Sequence, residues 1–134
     1  MSGLAASEEV QVDPQQRLLL RDATSLSNVK RSKGSSMGVT IGIAGTEYAA
    51  LAGKVSQPVN AFTATSSAVS VASGRIAYTH GLQGPTFSVD TACSASLVAF
   101  HSARLALTST HAATMMVSGV NTILGVKIKV VYQT

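Results

Sequence analysis

The sequence predicts an α/β domain, with helices alternating with short strands in a largely parallel or mixed sheet. Three stretches carry that expectation. Gly38-Val39-Thr40-Ile41-Gly42-Ile43 is a short β-branched run bounded by glycines, as expected of a strand buried on both faces. From Asn60 to about Thr79, residues Ala61, Ala64, Ala68, Val71, Ala72 and Ile76 recur near helical spacing, and their small side chains imply close packing against another element. Pro85 to Ala99 reads as a strand, a tight turn and a helix. There Thr86–Val89 alternates, Asp90, Thr91 and Ser94 are turn or N-cap residues, and small and apolar residues run from Ala95 to about Leu107. At 134 residues the chain suits one domain with a core of ordinary size.

The remaining elements follow in order. Residues 1–12 form a loose lead-in, with two glutamates and no apolar stretch of the kind a secretory signal needs. Asp13-Pro14 is a helix-start pair, an acid at the N-cap and proline at the first helical position. Gln15 to about Thr24 then forms a short helix carrying Leu18, Leu19 and Leu20. Ser25 to Met37 is rich in Ser, Lys and Gly and reads as loop. Gly45 to Pro58 is ambiguous, with a helical turn at Glu47–Leu51. His80 to Pro85 is a turn-rich loop, and Thr114 to Val120 is a further strand.

Composition narrows the function classes. Only 12% of residues are charged while 46% are hydrophobic, sparse for a small domain that meets water on all sides. Part of the surface is therefore expected to be covered, by a partner or by further chain. The net charge of +4 comes largely from Arg17, Arg21, Lys30, Arg31, Lys33, Lys127 and Lys129. Aromatic residues make 4% and Trp is absent, so the dense basic face interleaved with aromatics that a nucleic-acid site uses is missing, and Lys30–Lys33 reads as a solvated loop. A single cysteine rules out an internal disulfide and a multi-cysteine zinc site. No apolar run approaches the roughly 20 residues of a membrane span. These features point to a soluble, cytoplasmic protein, with an organelle address such as the plastid left open.

Cys93 falls at or next to the predicted turn. There, the free N–H groups and positive end of a helix favour thiolate over thiol, and so nucleophilic attack. The alternative is a small, buried apolar cysteine. A cysteine nucleophile usually works with a histidine. His101 lies eight residues on, about 12 Å along a helix and roughly 80° around it, out of reach of Cys93 and suited to packing or an interface. His80 precedes the strand and His111 follows the helix; His80 reaches Cys93 only by folding back. Asp90 is read as a cap rather than as a residue orienting a donor. No Cys–His pair is legible.

Gly84-Pro85-Thr86-Phe87-Ser88-Val89-Asp90-Thr91-Ala92-Cys93-Ser94-Ala95-Ser96-Leu97-Val98-Ala99 closely resembles the active-site signature of β-ketoacyl synthases. It is most similar to the ketosynthase domains of type I polyketide synthases and animal-type fatty acid synthases. Asp13–Leu20, Gly38–Ile43, Asn60–Tyr78 and Gly119-Val120-Asn121 resemble other segments of that family in the same order, so the resemblance covers most of residues 13–124. It implies a thiolase-like fold, αβαβα in layers and built from two similar halves. It further implies that Cys93 is the acyl-accepting nucleophile, that its own N–H is one oxyanion donor, and that the strand at Phe87–Val89 lies near a dimer interface. The implied chemistry takes an acyl group from the phosphopantetheine of an acyl carrier protein, with no bound cofactor or metal. Decarboxylative condensation with a malonyl-type extender follows, in polyketide or fatty acid synthesis.

The sequence also departs from the pattern. The family's two later histidines and a lysine of the second half are expected beyond Thr134, the first strand and its glycine-rich entry are not seen, and the stretch between Leu20 and Gly38 is short. Residues 125–134 form a divergent tail. The chain thus resembles most of the N-terminal half of a ketosynthase, expected to pair as a homodimer or with a complementing C-terminal half and unable to condense alone. The rivals are a non-catalytic thiolase-like partner subunit and, more remotely, an α/β-hydrolase-like acyltransferase, which would need a local histidine partner.

Overall fold

A computed structural model describes residues 11–45, 47–52, 63–109 and 112–124. Helix α1 (Pro14–Ser25) opens the described chain, its first turn capped by the Asp13 carboxyl, which accepts the Gln15 N–H at 2.7 Å. Proline at the first position and aspartate before it are thus the start that the sequence announces. Val12, at the end of the expected lead-in, is already buried.

The stretch Ser25–Met37 is not all loop: Ser27–Arg31 forms a five-residue helix, α2. Burial of Val29 in the core outweighs the turn-prone composition around it. Strand β1 (Gly38–Ile43) follows, buried at every position, and then a short helix, α3 (Tyr48–Ala52).

The single helix expected from Asn60 to Thr79 is two, α4 (Thr63–Ser66) and α5 (Val69–His80); residues 60–62 lie outside the described chain. The break has its cause in donors from elsewhere in the chain. Ala68 is extended, and the carbonyls that a continuous helix would use are taken by outside donors. Ser66 O accepts from Asp13 N (2.8 Å) and Thr65 O from Arg75 Nη2 (3.1 Å), while Ala68 O accepts from Gln16 Nε2 (3.1 Å) together with the Val71 N–H (3.1 Å) of the next helix. Helix α5 ends on Gly81 in the left-handed region (φ +64°), with Leu82 N–H returning to Ala77 O at 2.9 Å, a Schellman-type stop that glycine permits.

Strand β2 (Thr86–Val89), a 3₁₀ turn (Ala92–Ser94), helix α6 (Ala95–Ser109) and strand β3 (Met115–Val120) complete the described elements. The three strands form a wholly parallel sheet, in order β2-β1-β3, so the mixed sheet left open by the sequence is not what these residues build. The two crossovers run in opposite directions across the sheet. With the right-handed crossing that parallel strands obey, α5 and α6 lie on opposite faces.

Alternation along β1 divides its residues between those faces. Val39, Ile41 and Ile43 join Leu19, Leu20, Ala72, Ile76 and Met116 in one apolar core beneath α1 and α5. Gly42 lies beneath α6 instead, its missing side chain facing the backbone of Ala95 and Ser96.

Candidate active site

The site is built where a parallel sheet usually presents one, outside the carboxyl ends of its strands. Strand β2 ends at Val89 and the chain turns sharply into α6. Asp90 Oδ1 accepts the Ala92 N–H at 3.0 Å, and Ala92 is held at φ +52°, a left-handed conformation that costs an alanine about 1–2 kcal/mol. Ser94 N–H donates to Thr91 O (3.2 Å), and the Ser94 hydroxyl donates to the same carbonyl (2.8 Å) while lying 3.0 Å from Thr91 Oγ1. Asp90 and Ser94 therefore lock the elbow from both sides. Asp90 acts as a turn cap, as the sequence suggests, and caps Ala92 rather than the start of α6.

Cys93 sits at the crest of this elbow and is exposed, not the buried apolar residue of the alternative reading. The first bond of the 3₁₀ turn is donated by Ser94, so the turn itself leaves the Cys93 N–H without a helical partner. Cys93 lines a cleft of about 140 Å³ with Gly42 and Ala44 at the end of β1, Ala92 of the 3₁₀ turn, Ala95 and Ser96 at the start of α6, and Gly119, Val120 and Asn121 at the end of β3. Two glycines make this closeness possible. A Cβ on Gly42 would meet the Ala95 carbonyl and Ser96 N at 2.6 Å, and one on Gly119 would overlap the Ser96 side chain. The start of α6 therefore rests directly on the sheet.

The histidines are elsewhere. His80 closes α5 at the opposite end of the sheet, its Nε2 3.5 Å from Thr24 Oγ1. It does not fold back to Cys93. Burial, with Lys30 adding to it, lowers the His80 pKa below the usual imidazole value. His101 projects from the exposed side of α6, beside Leu97, Val98, Phe100 and Arg104, in an apolar depression separate from the Cys93 cleft. It is not packed within the described chain. His111 lies outside the described residues.

Sequence reasoning missed the support behind the cleft. Gln15 Oε1 accepts the Thr122 N–H at 3.2 Å, and Glu47 Oε2 accepts the Leu124 N–H at 2.9 Å. Both side chains bind backbone far along the chain, and no spacing pattern records such a partner. Asp13 is also more than a cap. It is fully buried, and desolvation raises its pKa above the usual aspartate value against the lowering effects of the Gln15 N–H and of Arg17.

Comparison with known proteins gives this geometry a family. The family model for "Beta-ketoacyl synthase, N-terminal domain" matches residues 1–133. The polyketide synthase GfsE of Streptomyces halstedii is 44% identical over 126 residues, covering 89% of this chain and 3% of that protein. A phenolphthiocerol synthesis polyketide synthase type I of Mycobacterium marinum is 43% identical over 128 residues, covering 92% of this chain and 6% of that one. Among solved structures, the ketosynthase from module 6 of the bacillaene synthase of Bacillus subtilis 168, crystallised as a cysteine-to-serine mutant, superposes with a TM-score of 0.77 at 29% identity, over 93% of this chain and 22% of its own. The chain thus spans a small part of each relative and shares in part the thiolase-like fold of the ketosynthases. With a match that runs almost from end to end, the chain belongs to the β-ketoacyl synthase family and corresponds to its N-terminal domain.

Proposed function

We propose that this chain carries the acyl-accepting half of a ketosynthase, with Cys93 as the nucleophile. The observation that carries the reading is the elbow itself. It is a strained, doubly locked turn that presents an exposed thiol in a cleft at the strand ends, inside a chain that the ketosynthase family model spans.

In the proposed step the Cys93 thiolate attacks the carbonyl carbon of an acyl thioester borne by the phosphopantetheine of an acyl carrier protein. The oxyanion that forms takes a hydrogen bond from the Cys93 N–H, the kind of donor whose removal typically costs about 3–4 kcal/mol of transition-state stabilisation. Collapse expels the carrier's thiolate, which takes up a proton, and leaves the acyl group on Cys93. Condensation then needs a malonyl-type extender to lose carbon dioxide. Its carbanion attacks the Cys93 thioester, which releases the cysteine thiolate and a β-ketoacyl carrier. That second step calls for groups that bind and polarise the extender, and neither described histidine faces the cleft.

Two outcomes are expected of residues 1–134 on their own. Incubation with a short acyl-carrier thioester adds one acyl mass to the peptide containing Cys93, and Cys93→Ala abolishes it; no acyl mass on that peptide would sink the assignment. Radiolabelled malonyl carrier loses carbon dioxide no faster than with Cys93→Ala, and decarboxylation above that control would show that the chain condenses unaided.

The same reading makes the chain one part of an assembly, in polyketide rather than fatty acid synthesis on the names of its relatives. Leu97 (72% exposed) and Phe100 (62%) on the outer side of α6 support an extensive packing partner there, whether a second copy or a complementing half.

A further inference from the structure

We propose that Gln15 and Glu47 are positioning residues for the Cys93 cleft, acting through the backbone that follows β3; the proposal rests on the reading of Cys93 as the acylated group. Strand β3 ends at Val120, and the next residue, Asn121, forms a wall of the cleft. Beyond Val120 the sheet ladder no longer pairs this segment. Two side chains bind it instead. Gln15, 1% exposed in the first turn of α1, accepts from Thr122 N–H at 3.2 Å, and Glu47, between β1 and α3, accepts from Leu124 N–H at 2.9 Å. The segment is thus tethered at alternate residues, Thr122 and Leu124, by two side chains far from it in sequence.

Gln15 is itself firmly placed. Its N–H is bound by Asp13 Oδ1, and Asp13 N–H donates to Ser66 O. The neighbouring Gln16 holds the other direction, its Nε2 on Ala68 O and its Oε1 accepting from Arg75 Nε at 2.8 Å. Burying an amide side chain costs rotamer freedom and hydration unless its bonds are made. The start of α1 therefore acts as a rigid post, and Gln15 transmits its position to the cleft wall. Its role is distinct from that of the elbow: Asp90 and Ser94 aim the thiol, whereas Gln15 and Glu47 fix the wall opposite it.

The test compares Gln15→Met, which keeps the bulk and loses the acceptor, with Gln15→Glu, which retains an acceptor oxygen. Three readouts are taken on the full chain: thermal unfolding, alkylation of Cys93 by iodoacetamide, and acylation of Cys93 by a short acyl N-acetylcysteamine thioester. Gln15→Met is expected to lose about tenfold in acylation rate while alkylation stays within about twofold, because only the thioester must be held against the wall. Gln15→Glu recovers most of the loss. Equal losses in both reactions, or no loss in either, overturn the proposal. Amide hydrogen exchange separates this from the reading it rests on. Exchange at Thr122 quickens about tenfold in Gln15→Met while Leu124 is unmoved, and Glu47→Leu does the reverse. If the unmodified chain takes no acyl group, the Cys93 assignment falls. If exchange at Thr122 and Leu124 is indifferent to Gln15 and Glu47, the tether falls whatever Cys93 does.

Discussion

The two faces of the sheet are packed by opposite rules. Beneath α1 and α5, large aliphatic side chains fill the space: Val39, Ile41 and Ile43 of β1 meet Leu19, Leu20 and Ile76. Beneath α6 the space is removed instead. Gly42 and Gly119 present no side chain, and α6 faces the sheet with Ala95, Ala99, Ala103 and Ala106. Helix α6 then turns its large residues outward, with Leu97, Phe100, Leu105 and Leu107 all exposed. An ordinary amphipathic helix buries its large apolar residues and shows its polar ones. The first face is thus a core completed within the described chain, and it supplies the stability. The second face is a platform whose closeness to the sheet sets where Cys93 stands.

The contrast predicts how each face fails. Ile41→Ala opens a cavity in the first face and is expected to cost about 2–5 kcal/mol, read from denaturant unfolding, with Cys93 reactivity in the remaining folded protein little changed. A cost below about 1 kcal/mol would mean that the first face is not the main source of stability. Gly42→Val acts on the second face. Its side chain runs into the Ala95 carbonyl and Ser96 N, so the start of α6 must lift. The expected cost in stability is smaller, about 1–3 kcal/mol, but acylation of Cys93 falls by far more than unfolding accounts for. If Gly42→Val unfolds the chain as readily as Ile41→Ala and leaves acylation intact, the division of labour between the faces is wrong.

The sequence makes the first face legible and the second only in part. Strand β1 is plain from β-branched residues between glycines, and α1 from Asp13-Pro14 and three leucines. Position Cys93 is legible because the strand–turn–helix pattern and the ketosynthase resemblance both fall on it. Less visible is anything decided by remote partners. The break at Ala68 depends on Asp13 and Arg75 competing for carbonyls of an otherwise good helix. The turn of α2 depends on a pocket for Val29, and the roles of Gln15 and Glu47 on backbone N–H groups 107 and 77 residues away. Gly42 reads as part of a strand boundary pattern until α6 is seen to lie on it. Local chemistry writes itself into local sequence, whereas side chains that serve distant backbone leave no period to read.

The smallest effect sharpens the same contrast through pH. His80 belongs to the first face and to the end of the sheet away from Cys93. Burial first, and Lys30 second, lower its folded-state pKa below the 6.5 of the free side chain. As pH falls through 6.5 the unfolded chain therefore binds the proton before the folded chain does, and stability declines until the folded-state pKa is passed. Asp13 runs the other way in a more acidic window. Its pKa is raised from 3.8 by burial, so its contribution is fully present below 3.8 and is lost as pH rises through the folded-state value. His80→Gln keeps a polar partner for Thr24 and removes the titration, so the fall in melting temperature between pH 7.5 and 5 becomes shallower than in the unmodified chain. The pH profile of Cys93 alkylation should not move, because His80 does not reach the cleft. A matching shift in that profile would place His80 in the chemistry of the thiol and overturn the separation between the end of the sheet that carries stability and the end that carries Cys93.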